Sequence, residues 1–469
     1  MKKVEFLTIF VLVLVGYSMA ADYETIQITN FFRHGARAPN MNYFKLDWVE
    51  SVGLGNLTGV GMRQHYVLGK QIKELYPELL DYKTFNNFNI FAKSSQSYRT
   101  IQSAISHLNG IFQPGNSIDE GFGLDVTSNN TENLMPNYSP ITYKFEQSKA
   151  LPFGYGVFPV VTENSDMDFN FKVDHSCPRL SMLRDDANNK QDKLYEGVAK
   201  MTYDALDKVG LKPSKFSGDD NKGWNLVDLQ QAHEGLFTDL YQTGQMYPGT
   251  DAEFYDKLHI AYGIFTLLYY PDETVLRLFT NGISHLIVEG MESRIKGTKK
   301  HKLVVLSGHD GNLMPFMMKF GLTSLECAKE MYEKGSSSQA CEIHPHFASS
   351  FIFELNKRKS DGDHFVRILY NGKPFKFCGA NEDDFYCKYA MFKEKLADTM
   401  YLEDFANICG NPYYEVSGKR ASYFIVLVCV CCLALVGLIL ALYFACRYQK
   451  LLRQSKMPAD ESEAQFLAN

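Results

Sequence analysis

The stretch Tyr23-Glu24-Thr25-Ile26-Gln27-Ile28-Thr29-Asn30-Phe31-Phe32-Arg33-His34-Gly35-Ala36-Arg37-Ala38-Pro39 decides how this chain is read. Ile26, Ile28 and Phe31 carry the apolar side of a strand, which ends abruptly in Arg33-His34-Gly35-Ala36-Arg37-Ala38-Pro39. Two arginines bracket one histidine where the strand stops. Downstream, Met62, Tyr66, Gly69, Ile72 and Tyr76 recur at helical spacing over residues 59–76, and Pro77 stops the pattern. A strand leading into a helix opens an α/β sheet, and such sheets bind ligands beyond the carboxyl ends of their strands.

Two further strand ends carry matching chemistry. Residues 88–92 run into Ser94-Ser95-Gln96-Ser97-Tyr98-Arg99, and residues 303–306 into Ser307-Gly308-His309-Asp310. If the three ends converge, they bring together Arg33, Arg37, Arg99, His34, His309 and Asp310. A phosphoryl group in transfer spreads negative charge over its oxygens, so it calls for fixed cations of fork geometry and a nucleophile in line. Gly35 is expected to let the backbone approach the phosphate, and Pro39 to stiffen the loop's exit.

Strand patterns vanish over residues 172–256. There, Leu194, Val198, Met201 and Ala205 mark one amphipathic helix, and Leu226, Leu229, Leu236, Phe237 and Leu240 another. This segment reads as a helical insertion that walls the site and selects the leaving group. Residues 22–171 and 257–415 form the α/β domain around it, with late strands at 351–355 and 365–370.

Residues 1–21 read as a signal peptide, with Lys2 and Lys3 ahead of an apolar run and a small-residue cleavage site at Ser18-Met19-Ala20. Residues 423–445 contain no charge and exceed the roughly 20 residues that span a bilayer. Arg447, Lys450, Arg453 and Lys456 follow at once, so the positive-inside bias predicts a single-pass type I protein with a cytoplasmic tail at 446–469. Cys177, Cys327, Cys341, Cys378, Cys387 and Cys409 form an even set on the non-cytosolic side, available for disulfides of undetermined pairing. Sequons occur at Asn56, Asn129 and Asn137, of which Asn129 is the favoured glycan site. The formal net charge of -6 supplies no basic excess for nucleic acid. Neither a metal nor a cofactor is expected. His175, His233, His344 and His346 lack a carboxylate set to complete a coordination shell.

These motifs resemble the histidine acid phosphatases, branch 2 of the histidine phosphatase superfamily, and most closely the prostatic and lysosomal acid phosphatase group. The likeness rests on the Arg33–Pro39 motif, on residues 57–66, on residues 95–104 and on residues 303–310, in consistent order. It implies a phosphoglycerate-mutase-like sheet with helices on both faces, an inserted helical cap and a single C-terminal transmembrane helix. It also implies that His34 is the nucleophile, that Arg33, Arg37, Arg99 and His309 bind phosphate, and that Asp310 protonates the leaving oxygen. A homodimer is a further implication. Gly311 departs from the pattern, since relatives often have threonine there, and Asn312 is a candidate to compensate.

Three guanidinium groups disfavour protonated His34 and favour ionised Asp310, so an acidic optimum is expected. The substrates implied are small phosphomonoesters, in a lysosome-like compartment or at the cell surface. One alternative narrows them to nucleotides, lysophospholipids or inositol phosphates, although the insertion has no dense lysine cluster. Another, of a different class, is a non-catalytic surface receptor that binds phosphate.

Overall fold

The computed structural model describes residues 22–81, 87–112, 157–188, 192–212, 215, 226–337, 341–378, 385–400, 408–410 and 412–455. The chain divides into two units, Met1–Cys409 and Gly410–Asn469. The predicted signal peptide, Asn129 and Asn137 lie outside the described residues.

The larger unit is organised on a sheet of β1 (Tyr23–Arg33), β2 (Ile90–Ser94), β3 (Val160–Val161), β4 (Leu303–Gly308), β5 (Ser350–Arg358), β6 (His364–Tyr370), β7 (Lys373–Phe375) and β8 (Cys387–Lys388). The spatial order is β3-β2-β4-β1-β5-β6-β7, with β8 paired to β6. β3, β2, β4 and β1 run parallel, whereas β5, β6 and β7 continue the sheet antiparallel. The parallel pairings place β4 between β1 and β2. The ends of the three motif-bearing strands are therefore immediate neighbours, with Arg33 opposite Gly308 and Ser94 opposite Ser307.

Strand alternation divides the core between two faces. Phe31, Val304, Leu306, Phe351 and Phe353 join one apolar cluster, with helices α7 (Glu273–Ile295), α8 (Asp310–Lys319) and α10 (Tyr389–Met400). Ile28, Phe32, Leu303, Val305 and Ile352 join the other, with α1 (Gly59–Leu75) and α2 (Tyr98–Ile111). Helices therefore cover both faces, as the sequence predicts. α1 and α2 meet at Gly69 and Gly110. A methyl group on Gly69 would lie 2.1 Å from the His107 carbonyl oxygen, and one on Gly110 equally close to that of Tyr66. Side chains at either position would push the helices apart.

The helical insertion comprises α3 (Leu180–Asn188), α4 (Asp192–Lys208), α5 (Leu226–Thr243) and the first half of α6 (Ala252–Leu268). It has its own small core of Leu206, Leu211, Leu229, Ala232, Leu236, Tyr255 and Leu258. The boundary drawn at residue 256 falls inside α6. Tyr255 and Leu258 pack in the cap, whereas Ala261, Ile264 and Leu267 of the same helix join the sheet-side core. One continuous helix thus contributes to both apolar clusters.

All six predicted cysteines are bonded, as Cys177–Cys409, Cys327–Cys341 and Cys378–Cys387. The first ties the start of the cap segment to the last residue of the unit. The second closes α9 (Leu325–Lys334) onto the segment that leads to β5. In the second unit a single helix, α11 (Pro412–Ser455), contains a span at Val428–Arg453 that is long and apolar enough to cross a membrane. The helix continues past the predicted end at Ala445, because Arg447, Lys450, Leu451 and Leu452 are good helix formers.

Candidate active site

Hydrogen bonds splice the exits of β1 and β2 onto the last residues of β4. The His34 N–H donates to the Gly308 carbonyl (3.0 Å) and the Ser95 N–H to that of Ser307 (3.2 Å). The loop after β1 is then fixed residue by residue. The Gly35 N–H donates to Ser103 Oγ (3.1 Å), the Ala36 N–H to Gln64 Oε1 (2.8 Å) and the Ala38 N–H to the Asn56 carbonyl (2.9 Å). This loop therefore spends its amides on α1, α2 and the segment between β1 and α1. Unlike a glycine-rich loop that cradles phosphate with backbone N–H groups, it leaves anion binding to side chains.

Gly35 differs from its sequence reading for the same reason. A methyl group there would lie 2.4 Å from the Gly61 carbonyl oxygen, and one on Gly61 only 2.1 Å from that of Ala36. The two glycines let the loop rest on the first turn of α1. Close packing, rather than approach to phosphate, accounts for Gly35.

His34 is buried, and its Nδ1 lies 2.8 Å from its neighbour's carbonyl oxygen, that of Gly35. A carbonyl only accepts, so Nδ1 carries the proton and Nε2 keeps its lone pair. Burial, followed by Arg99, Arg33, His309 and Arg37, holds this imidazole well below the usual histidine range. The ring stands edge-on to that of His309, with centroids 5.5 Å apart. Beneath the strand end, buried His65 meets the Arg33 carbonyl through Nε2 (3.1 Å), a structural role.

The cations reach the site from three elements. Arg33 donates through Nη2 to Asp310 Oδ2 (2.8 Å) and through Nη1 to the Pro345 carbonyl, and its guanidinium lies 4.4 Å from the centre of the Phe347 ring. Arg37 pairs with Glu234 of α5, a cap carboxylate that also accepts the Asn40 N–H (3.0 Å). Arg99, in the first turn of α2, contacts the Gly55 carbonyl at 3.4 Å, and burial and Arg37 pull its pKa down to about 10. Arg37, Arg99, His309 and Asp310 line one cavity.

His309 caps α8, and its Nε2 lies 2.8 Å from Ser95 Oγ. Burial, then Lys172 and Arg99, keeps this ring well below the usual range. Asp310 accepts from the Gly311 N–H through Oδ1 (2.9 Å), and its Oδ2 faces both Arg33 and His344 Nε2, the latter at 3.6 Å. Burial pushes the carboxyl up, but Arg33, His344, His34 and His309 outweigh it and hold it well below the usual carboxylate range.

The six residues singled out in the sequence are thus brought together. Asn312 does not take the place of a threonine at Gly311. Its amide accepts the His309 N–H (2.9 Å) and donates to the Phe171 carbonyl (3.1 Å), so it is turned inward as a cap. Half-buried Asn56 donates its side-chain amide to the Val52 carbonyl (3.1 Å), an unfavourable setting for a glycan. Sequence reasoning missed Glu234, Ser95 and the segment around Pro345. Only Ser95 had a local signal, its place between β2 and Arg99. Among the described residues no group of histidine, cysteine and carboxylate side chains has the geometry to hold a metal ion.

Comparisons with known proteins place the chain among phosphatases. Among curated proteins, the chain is 24% identical to counting factor 60 of Dictyostelium discoideum, over 80% of this chain and 74% of the relative. It is also 24% identical to bovine prostatic acid phosphatase, over 74% and 77% respectively, and 23% identical to human lysosomal acid phosphatase, over 68% and 69%. Among solved structures, the apo phytase of Hafnia alvei superposes with a TM-score of 0.57 at 12% identity, covering 83% of this chain and 98% of that one. A Bifidobacterium longum multiple inositol polyphosphate phosphatase gives 0.54 at 15% identity, covering 82% and 94%. The family model for the histidine phosphatase superfamily (branch 2) matches residues 18–371, and the chain is a phosphatase belonging to that family.

Proposed function

We propose that this phosphatase hydrolyses small phosphomonoesters through a phosphohistidine at His34, in an acidic compartment or at the cell surface. The observation that carries the reading is the buried, Nδ1-protonated His34 among Arg33, Arg37, Arg99 and His309. In the first step His34 Nε2 attacks phosphorus and the P–O bond to the leaving group breaks. The Asp310 carboxyl gives its proton to the departing oxygen. The three arginines and His309 stabilise the charge on the transferring oxygens. In the second step water attacks phosphorus, Asp310 takes its proton, and the P–N bond breaks to release phosphate and neutral His34.

Asp310 lies too low to hold a proton near neutrality. Below about pH 6, a phosphomonoester is itself largely a monoanion, and the proton it brings passes to Asp310 and from there to the leaving oxygen. Neutral His34 is retained there because its pKa lies below the usual histidine value. Both effects favour acid turnover. Beside the catalytic groups the cavity is lined by Tyr262, Phe265, Tyr269, Tyr270 and Phe279 together with Lys172, which suits a leaving group with an apolar portion.

In this reading α11 anchors the enzyme, with the catalytic unit lumenal or extracellular and the basic end cytoplasmic. The apolar span and the three disulfides support it. The test is hydrolysis of 4-nitrophenyl phosphate from pH 4 to 8 by full-length protein in detergent, with a chelator present and His34→Ala alongside. Acidic, chelator-resistant turnover that vanishes in the variant is expected. Phosphate binding without turnover in folded wild-type protein would favour the receptor reading instead.

A further inference from the structure

The segment 344–347, just ahead of β5, wraps the catalytic ion pair. The Pro345 carbonyl and the Phe347 ring hold Arg33, and His344 Nε2 reaches the same Asp310 oxygen that Arg33 occupies. His344 is only 2% exposed. Its ring is set edge-on against Tyr262 (4.9 Å) and His259 (5.8 Å), so its position is packed rather than adventitious. Its Nδ1 is buried and has no hydrogen-bond partner among the described residues.

Resting on the phosphohistidine reading above, we propose that His344 is a positioning residue for the proton donor Asp310. Two physical facts lead there. Arg33 is asked to bind a phosphoryl oxygen and to hold Asp310, with Nη1 on Pro345, Nη2 on the carboxylate and Nε without a hydrogen-bond partner among the described residues, so turning its fork toward phosphate loosens its hold on Asp310. When phosphate draws Arg33 away, Asp310 keeps the Gly311 N–H on Oδ1 and has His344 on Oδ2.

The second fact is chemical. A guanidinium only donates, so it strongly favours ionised Asp310 and cannot accept the O–H of the protonated acid. A neutral imidazole has one donor and one acceptor nitrogen, and with no partner on Nδ1 to select the tautomer it suits either form. Asp310 passes through both forms in each turnover, and His344 is the neighbour that fits both. Catalytic hydrogen bonds are commonly long before substrate arrives, so the 3.6 Å separation is that of a contact that tightens in the complex.

The test measures kcat/KM for His344→Leu and His344→Gln on an alkyl phosphate, a poor leaving group, and on 4-nitrophenyl phosphate, a good one. Inhibition by inorganic phosphate is measured in parallel. General acid catalysis contributes about 10²–10⁴-fold, so His344→Leu is expected to lose about tenfold or more on the alkyl ester and under about threefold on the aryl ester. Phosphate inhibition should stay within about twofold of wild type, since the arginines are untouched. His344→Gln, whose amide both donates and accepts, should recover most of the loss, and it serves if the leucine variant fails to fold.

Equal losses on both esters, a collapse of phosphate binding, or an alkyl-ester rate like wild type would each overturn the proposal. Failure of the parent reading looks different. It appears as missing wild-type turnover or turnover surviving in His34→Ala, whatever happens at His344.

Discussion

The floor of the pocket and its outer wall are built in different ways. The floor is the carboxyl ends of β1, β4 and β2, adjacent in the sheet and joined by backbone hydrogen bonds that any sequence folding this way would make. The wall is α5 of the cap and residues 344–347, which act through particular side chains: Glu234 on Arg37, and His344, Pro345 and Phe347 around Arg33 and Asp310. In the proposed reading, backbone geometry thus sets where phosphate goes. Side chains from distant segments set how tightly the arginines are held before it arrives.

If the floor carries the phosphoryl chemistry, its residues should dominate mutational losses. Removing one preorganised charge donor from such a site typically costs about 10²–10³-fold in kcat. Arg99→Ala is therefore expected to lose about that much on every substrate, because Arg99 sits beside His34 and lines the cavity shared with Arg37, His309 and Asp310. Steady-state kinetics check it, and near-normal turnover would remove Arg99 from the floor.

Asp310→Asn sharpens the comparison, since Asp310 lies where floor and wall meet. It should lose about 10²-fold or more on alkyl phosphates and far less on 4-nitrophenyl phosphate, as a missing proton donor matters most to a poor leaving group. A leaving-group series decides this, and uniform loss would deny Asp310 its acid role.

The smallest effect is on stability. Buried His65 and His107 are held neutral, each with its pKa lowered to about 3, chiefly by burial. Their unfolded value is the ordinary 6.5. As pH falls from 6.5 toward 3 the unfolded chain takes up protons that the native state refuses. Stability is therefore fully present above 6.5 and declines by about 1.4 kcal/mol per pH unit for each such histidine. Among the described residues neither buried His107 ring nitrogen makes a well-formed hydrogen bond, the His65 backbone opposes burial only in part, and the ring lies 4.9 Å from that of Phe32. His107→Phe should flatten the acid side of the stability profile, read from urea midpoints at pH 4.5 and 7.5. An unchanged slope would show that His107 is protonated in the folded protein.

The contrast between floor and wall also explains what was legible in the sequence. The Arg33–Pro39 motif, Arg99 and His309-Asp310 follow apolar strands, so strand pattern and motif chemistry together indicate both fold and site. Parallel topology then brings them side by side. Glu234 lies on a cap helix where nothing local distinguishes it from a solvent-facing carboxylate. His344 lies in a turn 34 residues past Asp310 and becomes meaningful only when β5 returns beside β1. Gly35 illustrates the opposite error. Its place in the motif suggested phosphate, but what demands glycine is the backbone of Gly61. The proposed cap boundary at residue 256 falls inside α6, one uninterrupted helix whose residues join two apolar clusters.

The most direct test is to catch the phosphoryl group on the enzyme. Wild-type protein and His34→Ala are mixed with excess phosphomonoester at acid pH and quenched in alkali, which preserves phosphohistidine, and peptides are mapped by mass spectrometry. One phosphoryl group on His34 in the wild type, with neither adduct nor turnover in the variant, is the predicted result. An adduct on another residue, or turnover persisting without His34, would contradict the account.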